Sequence, residues 1–160
     1  EISACLVGSE MCIRDRFRQT MFAEFEKIMH EMCGRGETLN AESISRVYFE
    51  LNRKYFGEEM VSDPEIAMEW ARIPHFYTPF YVYQYATGFA AAIALSGRIL
   101  ELGEEGVKDY MKFLTGGSSK DPIDLLAAAG VDMSTPQPVE DALTVFETYL
   151  EQFTEQMNAK

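Results

Sequence analysis

Val139, Leu143, Phe146, Leu150, Phe153 and Met157 recur at alternating intervals of four and three residues. That spacing stacks side chains on one face of an α-helix and cannot serve a strand, whose faces alternate every second residue. Glu and Gln fill the opposite side, so the segment predicts one amphipathic helix with a single apolar seam. Fewer than three heptads is thin support for a coiled-coil dimer, and the seam is expected to pack onto its own domain. The same period runs earlier. Phe17, Met21, Phe25, Ile28 and Met32 share one helical face, and Gly34 stands where a left-handed residue commonly ends a helix. Asn40 is the expected N-cap of a second helix carrying Ile44, Val47, Tyr48, Leu51 and Tyr55 and stopping at Gly57.

Three later starts share a device. Asp63-Pro64, Thr78-Pro79 and Asp121-Pro122 each set a capping side chain before a proline at the first helical position, where its missing N–H costs nothing. The helix from Pro79 is expected to run to about Leu102. Its small-residue half, Gly88 to Leu95, predicts a central, buried element. A shorter helix from about Glu105 to Leu114 should close at Gly116-Gly117. The apolar runs are long, rich in Ala, Met and Leu, and matched to the helical period. The class predicted is all-α, a multi-helix lobe.

Residues 1–16 stand apart. Cys5 to Arg16 resembles the in-frame translation of a sequencing-library adapter, so this stretch is read as a processing scar and 17–160 as the native segment. The scar is too short and too charged for a membrane span, and it lacks the basic start and apolar core of a signal peptide. On this reading the chain is the tail of something longer. Without Glu1, Glu10, Asp15, Arg14 and Arg16, 12 basic and 23 acidic side chains remain, a net charge of −11. So acidic a chain repels nucleic acid and anionic membrane surfaces, and neither is an expected partner. Cys33 is then the one thiol left, which forms no internal disulfide and gives no argument for export. A cytoplasmic location is the default.

Two apparent motifs dissolve on inspection. His30-Glu31-Met32-Cys33-Gly34 begins like the zinc-peptidase motif His-Glu-x-x-His, but its fifth position is Gly34 and the second ligand is missing. Gly116-Gly117-Ser118-Ser119-Lys120 lacks the order of a phosphate loop and follows a helix, not a strand. No metal site is expected within this chain. What remains is the aromatic run. Phe76, Tyr77, Phe80, Tyr81, Tyr83 and Tyr85 fall within ten positions, just after His75. A helix built only to pack would use Leu and Phe, whereas phenols taken out of water need hydrogen-bond partners. The plainer readings are a packed histidine before Pro79 and an amphipathic core stripe. Physical chemistry alone reaches an all-α domain with an aromatic, polar-lined cleft.

Ala71-Arg72-Ile73-Pro74-His75-Phe76-Tyr77 followed by Phe80-Tyr81-Val82-Tyr83-Gln84-Tyr85-Ala86-Thr87-Gly88 resembles the C-terminal region of the oligoendopeptidase F family, which belongs to the thimet-oligopeptidase-like zinc metallopeptidases. Phe17 to Glu26, Tyr48 to Asn52, Asp63 to Trp70 and Gly130 to Met133 support the resemblance, which covers the chain beyond the scar. It implies a lobe of a larger helical peptidase whose channel admits oligopeptides. It also implies zinc in the full-length parent, held by residues upstream of this segment, with none bound by the fragment. The expected partners are an oligopeptide substrate and the missing N-terminal portion of the same enzyme. The resemblance gives this segment the far wall of the cleft, with His75 and Tyr83 as catalytic residues and Tyr77, Phe80, Tyr81 and Tyr85 as substrate-binding residues. Tyr83 is preferred because Phe76, Phe80 and Tyr83 keep the family's spacing of four and three. Tyr77, Tyr81 and Tyr85 form the neighbouring stripe, and on one helix Tyr81 and Tyr83 would point about 200° apart. The fragment alone is expected to be inactive. Two rival classes are a non-catalytic all-α peptide-binding or scaffold module and an oligomerisation domain built on the 139–157 seam.

Overall fold

A computed structural model describes residues 17–158, so the reading of 1–16 as a scar lies outside the described residues. Six α-helices and two 3-10 helices, with no strand, make up the regular structure among them, in agreement with the all-α class. The described residues fall into two compact units that divide between Ala86 and Thr87.

In the first unit α1 (Gln19–Gly34) and α2 (Ala41–Phe56) precede two 3-10 helices, η1 (Pro64–Arg72) and η2 (Pro74–Tyr77). Asn40 caps α2 as its sequence predicts. Its Oδ1 accepts the Ser43 N–H at 2.8 Å, and the Ser43 hydroxyl oxygen accepts the Asn40 N–H at 3.0 Å. This reciprocal box satisfies two donors that a helix start otherwise leaves open. At the end of α1 the left-handed residue is Gly36 (φ 77°), not Gly34, which is still helical. Gly36 N–H donates to the Cys33 carbonyl and Glu37 N–H to that of Met32, the paired bonds of a Schellman closure.

The core of this unit joins Met21, Phe22 and Phe25 of α1 to Tyr48 and Leu51 of α2, with Ile73 and Val82 closing it. The Phe25 and Tyr48 rings meet edge to face at 5.2 Å. Phe22 lies beside the expected stripe of α1 and broadens its buried face. Glu69, only 6% exposed, ties three elements together. Its carboxylate accepts from Arg18 before α1, from the Tyr48 hydroxyl at 2.7 Å and from Arg72 at 2.7 Å. Burial pulls its pKa upward, but these three hydrogen bonds outweigh that and hold it below the usual carboxylate value.

The second unit holds most of α3 (Tyr83–Leu102), then α4 (Glu104–Gly116), α5 (Pro122–Ala128) and α6 (Gln137–Asn158). Leu95 packs with Ala129 and Val131. Gly106 lets α4 cross α3 closely, since a Cβ there would collide with the Arg98 and Ile99 backbone. Arg98 reaches Asp109 at 2.9 Å.

Four further expectations need correction. Asp63-Pro64 opens a 3-10 helix and not an α-helix. Thr78-Pro79 does not start α3, which begins four residues later at Tyr83. Phe80 adopts φ 58° there, and its N–H is taken by Glu26, so the local cap signal yields to a bond from α1. The seam of α6 is not packed as expected. Val139, Leu143, Leu150 and Met157 are exposed, while Pro138 and Ala142 are buried and Phe146 and Phe153 half-buried. The buried positions lie to one side of the expected seam, at Pro138 and Ala142, and only Phe146 and Phe153 of the seam itself are partly covered. The small-residue half of α3 is likewise buried on one face only, at Ala90, Ala91 and Leu95, with Ala92 exposed. No helix among the described residues is long and apolar enough to cross a membrane.

Candidate functional site

Ile73 and Val82, both buried, pin the two ends of the aromatic segment into the first unit's core. Between them the chain makes the single turn of η2 and then reverses through Pro79 and Phe80. Phe76 points inward and meets Phe22 at 5.4 Å and Phe25 at 5.1 Å. The rest of the segment faces outward.

The reversal brings residues six apart into ring contact. The His75 imidazole lies against the Tyr81 ring with centroids 5.6 Å apart and planes within 9°. Tyr85, on the first turn of α3, stands edge-on to both, at 6.0 Å from His75 and 5.6 Å from Tyr81. The Tyr85 hydroxyl donates to that of Tyr81 at 3.3 Å. In that arrangement the Tyr81 hydroxyl keeps its own proton to donate. His75, Tyr81 and Tyr85 are all exposed, so an imidazole and two phenols form one outward-facing polar-aromatic group. Such a group can stack on planar peptide units and donate to a carbonyl oxygen.

The other expected site residues lie elsewhere on this surface. Tyr83 is exposed at the start of α3, and Tyr77 is 82% exposed at the end of η2. Phe80 is exposed, and its ring stacks on His30 of α1 at 4.7 Å. The stripe reasoning that preferred Tyr83 assumed one helix from Pro79. Residues 76–82 are not α-helical, so that premise is lost, and His75 is grouped with the neighbouring stripe. The sequence reading gives no role to Glu26 and weighs His30 only as the start of an incomplete zinc motif. Glu26, buried on α1, accepts the Phe80 N–H at 2.6 Å, and His30 sits one turn further along the same helix. Nothing in the local sequence points 54 residues downstream; only the spacing of four between Glu26 and His30 places them on one face. Among the described residues no three His, Cys, Asp or Glu side chains gather as metal ligands.

Comparison with known proteins adds an independent line. Residues 10–145 match the model of peptidase family M3. The chain is 55% identical over 139 residues to Oligopeptidase PepF of Bacillus subtilis, covering 87% of this chain and 21% of that protein. It is 46% identical to an Oligoendopeptidase F homolog of Borreliella burgdorferi, covering 85% of this chain and 23% of that one. Among solved structures, oligoendopeptidase-F from Enterococcus faecium superposes with a TM-score of 0.86 at 44% identity, over 90% of this chain and 28% of that one. A putative peptidase from Chlamydophila abortus gives the same TM-score at 35% identity, over 94% and 25%. The chain thus spans about a fifth to a quarter of the length of the curated relatives it matches.

Proposed function

The chain belongs to peptidase family M3, and on that premise we propose that it supplies part of the peptide-binding wall of a zinc metalloendopeptidase acting on oligopeptides. The observation that carries the reading is the exposed group of His75, Tyr81 and Tyr85, displayed by a segment whose two ends are buried. Tyr77 and Phe80 extend the same aromatic surface along a bound peptide. Relatives named oligopeptidase and oligoendopeptidase support the substrate class. A single thiol, Cys33, beyond residues 1–16 supports a cytoplasmic setting.

The described residues do not fit a metal site. His30 and His75 stack on different aromatic rings, and no third ligand joins either. The zinc and its ligands are assigned to the portion of the enzyme outside this chain, and no step is derived through the metal here. What the segment contributes is hydrogen bonding. When water adds to a peptide carbonyl, negative charge grows on the oxygen. A phenol placed toward it contributes about 2.7 to 4 kcal/mol, by analogy with single oxyanion-hole donors. Tyr81, with its proton left to donate and His75 against its ring, is the phenol the geometry favours; Tyr83, chosen on sequence spacing, is the competing assignment. Without the remainder of the enzyme the chain should bind peptides weakly and cleave none.

The test is steady-state kinetics on one quenched-fluorescent oligopeptide, with Tyr81→Phe, Tyr83→Phe and His75→Ala made in a full-length peptidase carrying this segment. Loss of turnover in His75→Ala and in one tyrosine variant supports the cleft wall. Silence of all three leaves the exposed aromatic group without a part in turnover and removes the reading.

A further inference from the structure

Phe80 is the one non-glycine residue with a positive φ among the described residues, and a bulky side chain rarely adopts that conformation. Strain of this kind persists only where the surroundings over-determine it. Here two contacts from one face of α1 do so. The buried Glu26 carboxylate accepts the Phe80 backbone N–H at 2.6 Å, and the His30 ring, four residues further along, stacks on the Phe80 ring at 4.7 Å and 25°. The next residue in the chain is Tyr81, which lies flat on His75. Tyr81 follows Phe80 directly, so the turn made at Phe80 sets where the Tyr81 ring arrives beside His75.

We propose that Glu26 is a positioning residue, which holds the Phe80 turn through its backbone N–H so that Tyr81 is presented against His75. The functional weight of this clamp rests on the reading of His75, Tyr81 and Tyr85 as part of the peptide-binding wall. Glu26 does not touch that group itself, and it lies too deep to meet a peptide. A charged acceptor suits the role because hydrogen bonds to ionised acceptors are shorter and stronger than those between neutral groups. A neutral amide oxygen at the same point would keep the bond in weaker form.

The chain carries two histidines, and the clamp puts each against an aromatic ring, one on either side of the turn: His30 on Phe80 and His75 on Tyr81. Their ring-proton resonances therefore read the turn directly in the intact chain, shifted upfield by the stacked neighbours. Glu26→Ala is expected to release both upfield shifts while far-UV circular dichroism stays helical, and Glu26→Gln is expected to retain them. Phe80→Gly, which tolerates the positive φ and leaves the N–H in place for Glu26, should release the His30 shift and keep that of His75. Unmoved His75 protons in a folded Glu26→Ala chain would overturn the proposal. So would loss of the His75 shift in Phe80→Gly, because the Phe80 ring and not the carboxylate would then hold the turn. Should the alanine variant unfold, Phe80→Gly still decides whether the ring or the carboxylate holds the turn, and loss of the His75 shift there overturns the proposal. No peptide enters the measurement, so the clamp can fail while the cleft-wall reading stands, and the reverse.

Discussion

The imidazole of His75 and the ring of Tyr81 lie within 9° of parallel at 5.6 Å, although only five residues separate them in the chain. The pair exists because the segment between them reverses instead of starting a helix. Its two ends, Ile73 and Val82, are fixed in the core, so the rings are set by a scaffold and not by a loop free to choose.

In a full-length peptidase carrying this segment, Tyr81→Phe should lower kcat by about 10² to 10³ fold, the range for loss of one oxyanion donor. KM should stay nearly unchanged, because the hydroxyl acts on charge that exists only in the transition state. His75→Ala should lower kcat/KM, and Tyr77→Phe should act mainly on KM. If Tyr83→Phe takes the large kcat loss and Tyr81→Phe does not, the sequence spacing was the better guide and the grouping around His75 serves binding alone.

Removing Glu69 should cost more than removing its phenolic partner. Glu69→Ala leaves the buried Tyr48 hydroxyl without an acceptor, a penalty of about 1 to 3 kcal/mol, and separates two arginines from their shared carboxylate. Arg18 and Arg72 are exposed enough to turn to water, which limits their share. Tyr48→Phe leaves Glu69 with both arginines and should cost less. Urea midpoints of the two variants measure the difference, and equal midpoints would refute the asymmetry.

What was legible in the sequence was local. The Asn40 box, the stop at Gly57 and the end of α3 near Leu102 all follow from chemistry within a few residues of each boundary. The failures are equally physical. Thr78-Pro79 carries a good start signal, yet the Phe80 N–H is claimed by Glu26 from 54 positions away. Glu69 gathers Arg18 and Tyr48 from 51 and 21 positions away. Periodicity identifies a face but not its rotation against a neighbour, which is why the seam of α6 was legible and its burial was not. At the site the residue types were legible, while their grouping depended on a turn that long-range contacts set.

Alkaline pH should expose the pairing of Tyr55 with Glu24. Burial, then the hydrogen bond to Glu24, push the Tyr55 phenol from 10.0 up to about 12. A group whose folded value is raised contributes its stability in full below the unfolded value and loses it as pH rises through the folded one. The window here is therefore from about pH 10 to 12. Glu24 behaves oppositely: hydrogen bonds from Lys54 and then Tyr55 lower it, so its contribution is full above 4.5 and fades as pH falls through the lowered value. Tyr55→Phe should flatten both limbs of the stability profile, since it removes one of the bonds to Glu24. An unchanged alkaline limb in urea titrations would show that the pair does not act on folding.

The exposed seam of α6 should make the chain self-associate. Leu143, Leu150 and Met157 stand in water on one helical face, with half-buried Phe146 and Phe153 beside them. Large apolar side chains exposed along one helical face can join copies of a chain. The net charge of −12 opposes association, most strongly at low salt where screening is weak. Raising salt should therefore increase the mass seen by light scattering, which surface ion pairs between copies would not do. Leu143→Lys with Leu150→Lys should hold the chain monomeric across the same range and leave its helicity intact, because neither side chain is buried. If the double variant associates as the parent does, the contact lies elsewhere on the molecule and the seam is not the surface that joins copies.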